Sequence, residues 1–222
     1  MKRPRAPKVD LEARRAPVQE RSKERVAKIL GAAAALLDAG GLDAVTTNAI
    51  AREAGVPVGT LYQFFPNREA VLLALAEQSL DALTARFAPR LERPAGLDPI
   101  DGVIDTLRDA YVDIPGLAVL VGTTQGHPEL EAVYATNNAR IVGWVEALIA
   151  AEGASADARG AAIVAVEASD AVLRRWLRGR ARGERGGERL LEHLKAMLRA
   201  YFGPMLAATR APAKSAPPKR KK

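Results

Sequence analysis

Thr46-Thr47-Asn48-Ala49-Ile50-Ala51-Arg52-Glu53-Ala54-Gly55-Val56-Pro57-Val58-Gly59-Thr60-Leu61-Tyr62-Gln63-Phe64-Phe65 decides the reading of this 222-residue chain. Thr46 is a residue type that caps a helix N-terminus, Ile50 and Ala51 supply apolar positions, and Ala54-Gly55 ends the run. A second helix begins near Pro57, whose fixed φ suits a first helical turn. Leu61, Phe64 and Phe65 form its inward stripe and leave Val58, Gly59, Thr60, Tyr62 and Gln63 facing outward. Two short helices joined by a tight turn present the second of them to a DNA major groove. A glycine, small side chains, a tyrosine and a glutamine make a poor solubility face but suit close contact with nucleic acid.

The flanks continue the helical pattern. Val26, Ile29, Leu30, Ala33, Leu36 and Leu37 share one face of a helix from about Glu20 to Ala39, which Gly40-Gly41 stops. After Pro66, Asn67 caps a long helix to about Arg93, with Val71, Leu72, Leu75, Leu80, Leu83 and Phe87 as its stripe. Pro94-Ala95-Gly96 ends that helix. Further helices are expected over about Pro99–Ile114, Leu117–Gln125, Glu129–Ala151, Ala156–Arg182 and Glu188–Thr209, separated by Gly- and Pro-rich breaks. No alternating run reads as a strand. The expected fold is therefore all-α, with a three-helix DNA-binding domain over 21–82 and a larger helical domain over 83–209. A basic arm (1–20) and a Pro/Ala/Lys-rich tail (210–222) read as disordered.

Composition narrows the function classes. Cysteine is absent and the two histidines lie far apart, which argues against disulfides, thiol chemistry, a zinc site or any other bound cofactor. No apolar run approaches the roughly 18–20 residues that span a bilayer, and the basic start leads into no signal-like stretch. A cytoplasmic protein without a membrane partner is expected. The net charge of +7 is uneven: residues 1–25 hold nine Lys/Arg against four acids and 210–222 hold six against none, leaving the body near −4. The basic character lies in the tails, where solvated segments are the common case. The N-terminal arm, leading into the helix that would flank DNA, could add phosphate or minor-groove contacts.

The segment Ser22 to Ala82, about a quarter of the chain, resembles the DNA-binding domain of TetR-type (tetracycline-repressor-like) transcriptional regulators. The matching residues are Arg25-x3-Ile29-Leu30-x-Ala32-Ala33, Gly40-Gly41, Thr46-Thr47-x2-Ile50-Ala51-x2-Ala54-Gly55-Val56, Gly59-Thr60-Leu61-Tyr62-x2-Phe65 and Asn67-Arg68-Glu69-Ala70-Val71-Leu72. The resemblance implies that the second motif helix enters the major groove of an operator duplex. Thr47, next to the capping Thr46, would hold a phosphate with its hydroxyl and backbone N–H. Tyr62 and Arg68 would contact phosphates, and Gly59 would let the helix approach closely. Base reading would fall to Val58, Thr60 and Gln63, with Val58 against a thymine methyl and Gln63 paired with adenine. Two positions depart from the family: Val58 stands where a polar residue is frequent, and Phe64 where a histidine or tyrosine is usual. The second change moves Phe64 toward packing.

The resemblance also implies a homodimer and a ligand. A single reading head makes few contacts, so useful affinity requires two. Val164, Ala168, Val172 and Trp176 on one helix, with Leu190, Leu194, Leu198 and Tyr201 on the last, form apolar bands suited to a four-helix interface. A small apolar or amphipathic effector is expected in the middle of the second domain, near Phe87, Leu107, Tyr111, His127, Asn137 and Trp144, with Leu83, Tyr134 and Asn138 as wider candidates. Its binding would shift the long Asn67–Arg93 helix and the spacing of heads that must fit grooves roughly 34–36 Å apart.

Two other classes compete. An effector-independent architectural DNA binder would lack a sizeable pocket in the second domain. An enzyme would need a nucleophile–base set, a phosphate loop or metal spacing, and the chain has none of these. Glu167 and Asp170 stand one turn apart, but Arg174 follows on the same face and makes a charge network the simpler reading.

Overall fold

Helix-forming residues dominate every long segment, and the backbone follows them. The computed structural model describes residues 12–92, 99–123, 127–151 and 157–210, and among these the regular elements are all helices. They are α1 (Glu12–Ala44), α2 (Thr47–Glu53), α3 (Val58–Phe64), α4 (Arg68–Glu92), α5 (Pro99–Asp113), α6 (Leu117–Gly122), α7 (Pro128–Ala151), α8 (Ala158–Ala181) and α9 (Gly187–Arg210). The expected tail and the breaks at Pro94-Ala95-Gly96 and Gly153-Ala154-Ser155 lie outside the described residues.

Helix α1 begins at Glu12, not near Glu20, which corrects the expected extent of the arm. Glu12-Ala13-Arg14-Arg15-Ala16 are all strong helix formers, and Pro17 removes a single main-chain donor. The stop falls where Gly40-Gly41 places it. Gly41 takes φ 67° and ψ −165°, so the regular helix ends there and Leu42–Ala44 form a separate turn. Only glycine reaches that backbone region without strain.

The chain divides into two compact units, one up to Leu75 and one from Ala76. The boundary falls within α4, the helix along which the sequence places it. In the first unit, α1 packs on α2 and α2 on α3. Ile29, Leu37, Val45, Ile50, Leu61 and Val71 are buried there with almost no exposed surface. In the second unit α8 is the central helix, packed against α7, α9 and α6, while α5 lies on α9 and α6. Leu83, Ile104, Leu117, Leu120, Leu173 and Leu191 are buried within it. Asp157 caps α8, its carboxylate accepting from the Gly160 N–H at 3.2 Å.

Lys195 is almost fully buried on α9 yet keeps its charge. Its ammonium donates to Asp105 on α5 and to Glu192, each at 2.9 Å. Burial works against that charge, but the two carboxylates outweigh it and hold the lysine above its ordinary range. This pair joins α5 to α9, and Asp101 with Arg199 joins the same helices one turn away.

Candidate nucleic-acid interface

Local capping sets the two short helices. The Thr46 backbone is extended (φ −115°, ψ 154°), and its hydroxyl accepts from the Ala49 N–H at 3.1 Å, the geometry of an N-cap. Gly55 takes φ 65°, and the Gly55 and Val56 N–H groups return to the carbonyls of Arg52 and Ala51. The turn thus closes α2 and reverses the chain in very few residues.

Pro57 differs from the expected first helical residue. Its ψ of 141° keeps it outside α3, and its carbonyl accepts from the Thr60 and Leu61 N–H groups, so it is the N-cap and Val58 opens the helix. Proline fixes φ but not ψ, and the extended ψ is equally open to it. No side chain caps α3. Asn67 caps α4 as expected, its Oδ1 accepting from the Ala70 N–H at 2.8 Å.

The burial pattern separates the packing residues from the open ones. Leu61 and Phe65 are buried, and Phe64 is half-buried. Val58, Gly59, Tyr62 and Gln63 are exposed, whereas Thr60 and Thr47 are half-buried. Tyr62 leaves 51% of its surface open, a large exposure for an aromatic ring. A Cβ built on Gly59 would meet nothing within 4 Å, so this glycine serves no internal packing need. The Thr47 Oγ1 and Tyr62 hydroxyl lie 3.3 Å apart, which joins the start of α2 to the outer face of α3. Arg68 is half-buried, and its Nε has no hydrogen-bond partner. Arg21, Lys23, Arg25 and Lys28 are exposed along α1, and Arg52 is exposed at the end of α2. The face can therefore offer hydroxyl and guanidinium donors together with small side chains, the groups that bind phosphate oxygens and fit a groove.

The residues expected at an effector site divide differently. Leu107, Tyr111 and Asn137 are buried, and His127 and Trp144 are half-buried. The Phe87 side chain lies outside the described residues. Asn137 Oδ1 accepts from the Thr84 hydroxyl at 3.2 Å and from Arg140 Nη2 at 2.8 Å. Arg140 also reaches Asp81 and lies 5.9 Å from the Trp144 ring centre. Asn137 is thus a buried linker between α4 and α7, not part of a solvated face.

A groove of about 470 Å³ opens between α7 and α8, and none of those six residues lines it. Of the wider candidates, Tyr134 and Asn138 do. Most of its lining escaped the sequence reading, including Arg159 and Ile163. Asp170 and Arg174 had been read as a charge network, which they form at 2.7 Å, but they also border this groove. Only the i, i+4 spacing of Tyr134–Asn138 and Asp170–Arg174 hinted at two facing polar rows.

Three of the expected partner-facing residues, Trp176, Leu194 and Leu198, are buried in the chain's own core, which corrects their assignment. Their helical faces turn toward α5–α9 packing, and a buried side chain offers no surface to another subunit. Val164 and Tyr201 are exposed, together with Ile163 and Met197, while Ala168, Val172 and Leu190 are half-buried. Among the described residues no group of three or more His, Cys, Asp or Glu could hold a metal, and no helix is long and apolar enough to cross a membrane.

Known proteins share both halves of this arrangement. Residues 29–75 match the family model described as bacterial regulatory proteins, tetR family, and residues 98–202 match the tetracyclin repressor-like C-terminal domain. The HTH-type transcriptional repressor KstR of Rhodococcus jostii is 35% identical over 79 residues, covering 36% of this chain and 35% of that protein. The alignment therefore spans only about a third of that relative's length. A TetR-family transcriptional regulator from Streptomyces coelicolor is 29% identical, with a TM-score of 0.61 over 82% of this chain and 99% of that one. The fatty acid degradation regulator FadR from Bacillus halodurans shares the fold at 17% identity, with a TM-score of 0.64 over 78% of this chain and 94% of that one.

Proposed function

The chain belongs to the TetR family of bacterial regulatory proteins, and on that premise we propose that it is a dimeric repressor released from its operator by a small effector. The observation that carries the proposal is the hydroxyl pair of Thr47 and Tyr62, 3.3 Å apart, on an otherwise small-residue face. Both hydroxyls reach one DNA strand's phosphates, with Arg68 adding positive charge at the start of α4. Backbone contacts of this kind set register. Val58, Thr60 and Gln63 then meet base edges, with Gly59 allowing close approach. Thr60 contributes only the half of its side chain that is open.

Repression draws support from the printed description of the KstR relative as a repressor. Dimerisation draws support from the exposed Ile163 and Val164 on α8 and Met197 and Tyr201 on α9. Large apolar side chains clustered on two packed helices cost solubility in a monomer and suit a self-complementary interface. The groove between α7 and α8 favours an effector-responsive protein over an architectural DNA binder, which has no use for one. Helix α4 begins in the first unit and continues in the second, so a ligand that alters its position alters how the two heads of a dimer engage DNA.

Selection from a random duplex library tests the reading. A repeatedly recovered pseudo-palindromic sequence, bound as a dimer in fluorescence anisotropy, is the expected result. Recovery of no preferred sequence over random competitor rejects it.

A further inference from the structure

Arg174 and Tyr134 set the chemistry of the groove between α7 and α8. Tyr134 lines it, is 5% exposed, and its hydroxyl has no hydrogen-bond partner among the described residues. The Arg174 guanidinium lies over its ring at 5.6 Å. Burial, with Tyr111 nearby, holds the Tyr134 hydroxyl above the ordinary phenol range, so it keeps its proton and acts as a donor. A buried donor without an acceptor is a rare and costly feature in a folded protein.

The charges around it are already matched or negative. Arg174 donates to Asp170 at 2.7 Å and to the Val121 carbonyl at 2.8 Å. Arg159 is paired with Glu146 at 3.0 Å. Glu131 and Glu167 add two carboxylates to the lining. An entering anion would meet repulsion without gaining a fresh cation. The remaining wall is apolar: Ala135, Ala139, Val142 and Ile163.

We propose that this groove binds an uncharged, oxygen-bearing apolar molecule, whose carbonyl or hydroxyl oxygen accepts from Tyr134 while its hydrocarbon body lies against Ala135, Val142 and Ile163. The regulatory consequence rests on the effector-responsive reading above, but the binding event does not. The acceptor satisfies the buried hydroxyl, and the body covers side chains that otherwise border water.

Isothermal titration of the full-length protein with three probes of similar shape tests this: benzylacetone, butylbenzene and phenylbutyrate. Benzylacetone should bind, with phenylbutyrate at least about tenfold weaker. Tyr134→Phe should weaken benzylacetone about fivefold, the loss of one hydrogen bond, and leave butylbenzene unchanged. Its melting temperature should hold or rise, because the variant removes an unpartnered group. Ala135→Trp, at an exposed position of the groove, should abolish binding without touching the core. No binding of benzylacetone up to about 10 mM, equal affinity in Tyr134→Phe, a tighter phenylbutyrate, or binding that survives Ala135→Trp overturns the inference. Anisotropy with the selected duplex separates the two readings. Benzylacetone that binds the groove yet leaves DNA bound refutes effector release and leaves the site intact.

Discussion

The Thr47 Oγ1 stands 3.3 Å from the Tyr62 hydroxyl, across the turn that joins α2 to α3. These residues are fifteen positions apart in sequence, and Gly55 brings them together by holding φ at 65°. The pair fixes the outward ring of Tyr62 relative to the start of α2. Either oxygen can donate, so the pair can turn one hydroxyl toward an external acceptor without breaking its own link.

Tyr62→Phe should weaken operator affinity about tenfold, in line with losing a hydrogen bond to a charged phosphate. Folding stability should change by less than about 1 kcal/mol, because the lost internal bond is exposed. Thr47→Val should act in the same direction, and the double variant should cost less than the sum, since the two share one bond. Anisotropy titrations of the four proteins check this, and additive losses would argue that the two hydroxyls act separately.

Thr46→Ala should destabilise the protein by about 1 kcal/mol, the usual cost of losing an N-cap. The Ala49 N–H then has no side-chain acceptor. Urea unfolding followed by circular dichroism reads the shift, and a null result would mean that water replaces the cap at no cost.

Asn137→Ala should cost about 2–3 kcal/mol, because the Thr84 hydroxyl and Arg140 lose a shared acceptor in a part-buried setting. Titration of the groove with benzylacetone should be unchanged, since Asn137 does not line it. A large loss of binding with unaltered stability would instead restore Asn137 as a ligand contact.

The exposed band on α8 and α9 separates association from folding. Val164→Glu with Tyr201→Glu should yield a folded monomer by light scattering, because both side chains are open in the single chain, 52% and 40% exposed. Leu198→Ala should instead lower stability by about 2–5 kcal/mol, as truncation in a packed core does. A double variant that remains dimeric would move the interface elsewhere.

The caps and turns were legible because they are local. Thr46, Gly55 and Asn67 each act within three or four residues, through a side-chain oxygen or an αL backbone, and those signals survive in one dimension. Pro57 shows the limit even there: proline dictates φ alone, and the ψ that placed it outside α3 came from the turn. The extent of α1 was misread because Pro17 was weighed above the helix formers around it.

Apolar periodicity specified which residues avoid water, but not what they meet. Trp176, Leu194, Leu198 and Val164 all read as apolar helix positions, yet three are in the chain's own core and one is open. Helical position relative to neighbouring helices decides between those outcomes, and no single helix encodes its own neighbours. The groove belongs to the same category. Tyr134 on α7 and Arg174 on α8 are forty residues apart, and only packing of the two helices sets a guanidinium over that ring. One-dimensional pattern therefore carried the helices, their ends and the family of the first unit. Side-chain neighbours in space chose the buried hydroxyl, the open apolar band and the site that a ligand can enter.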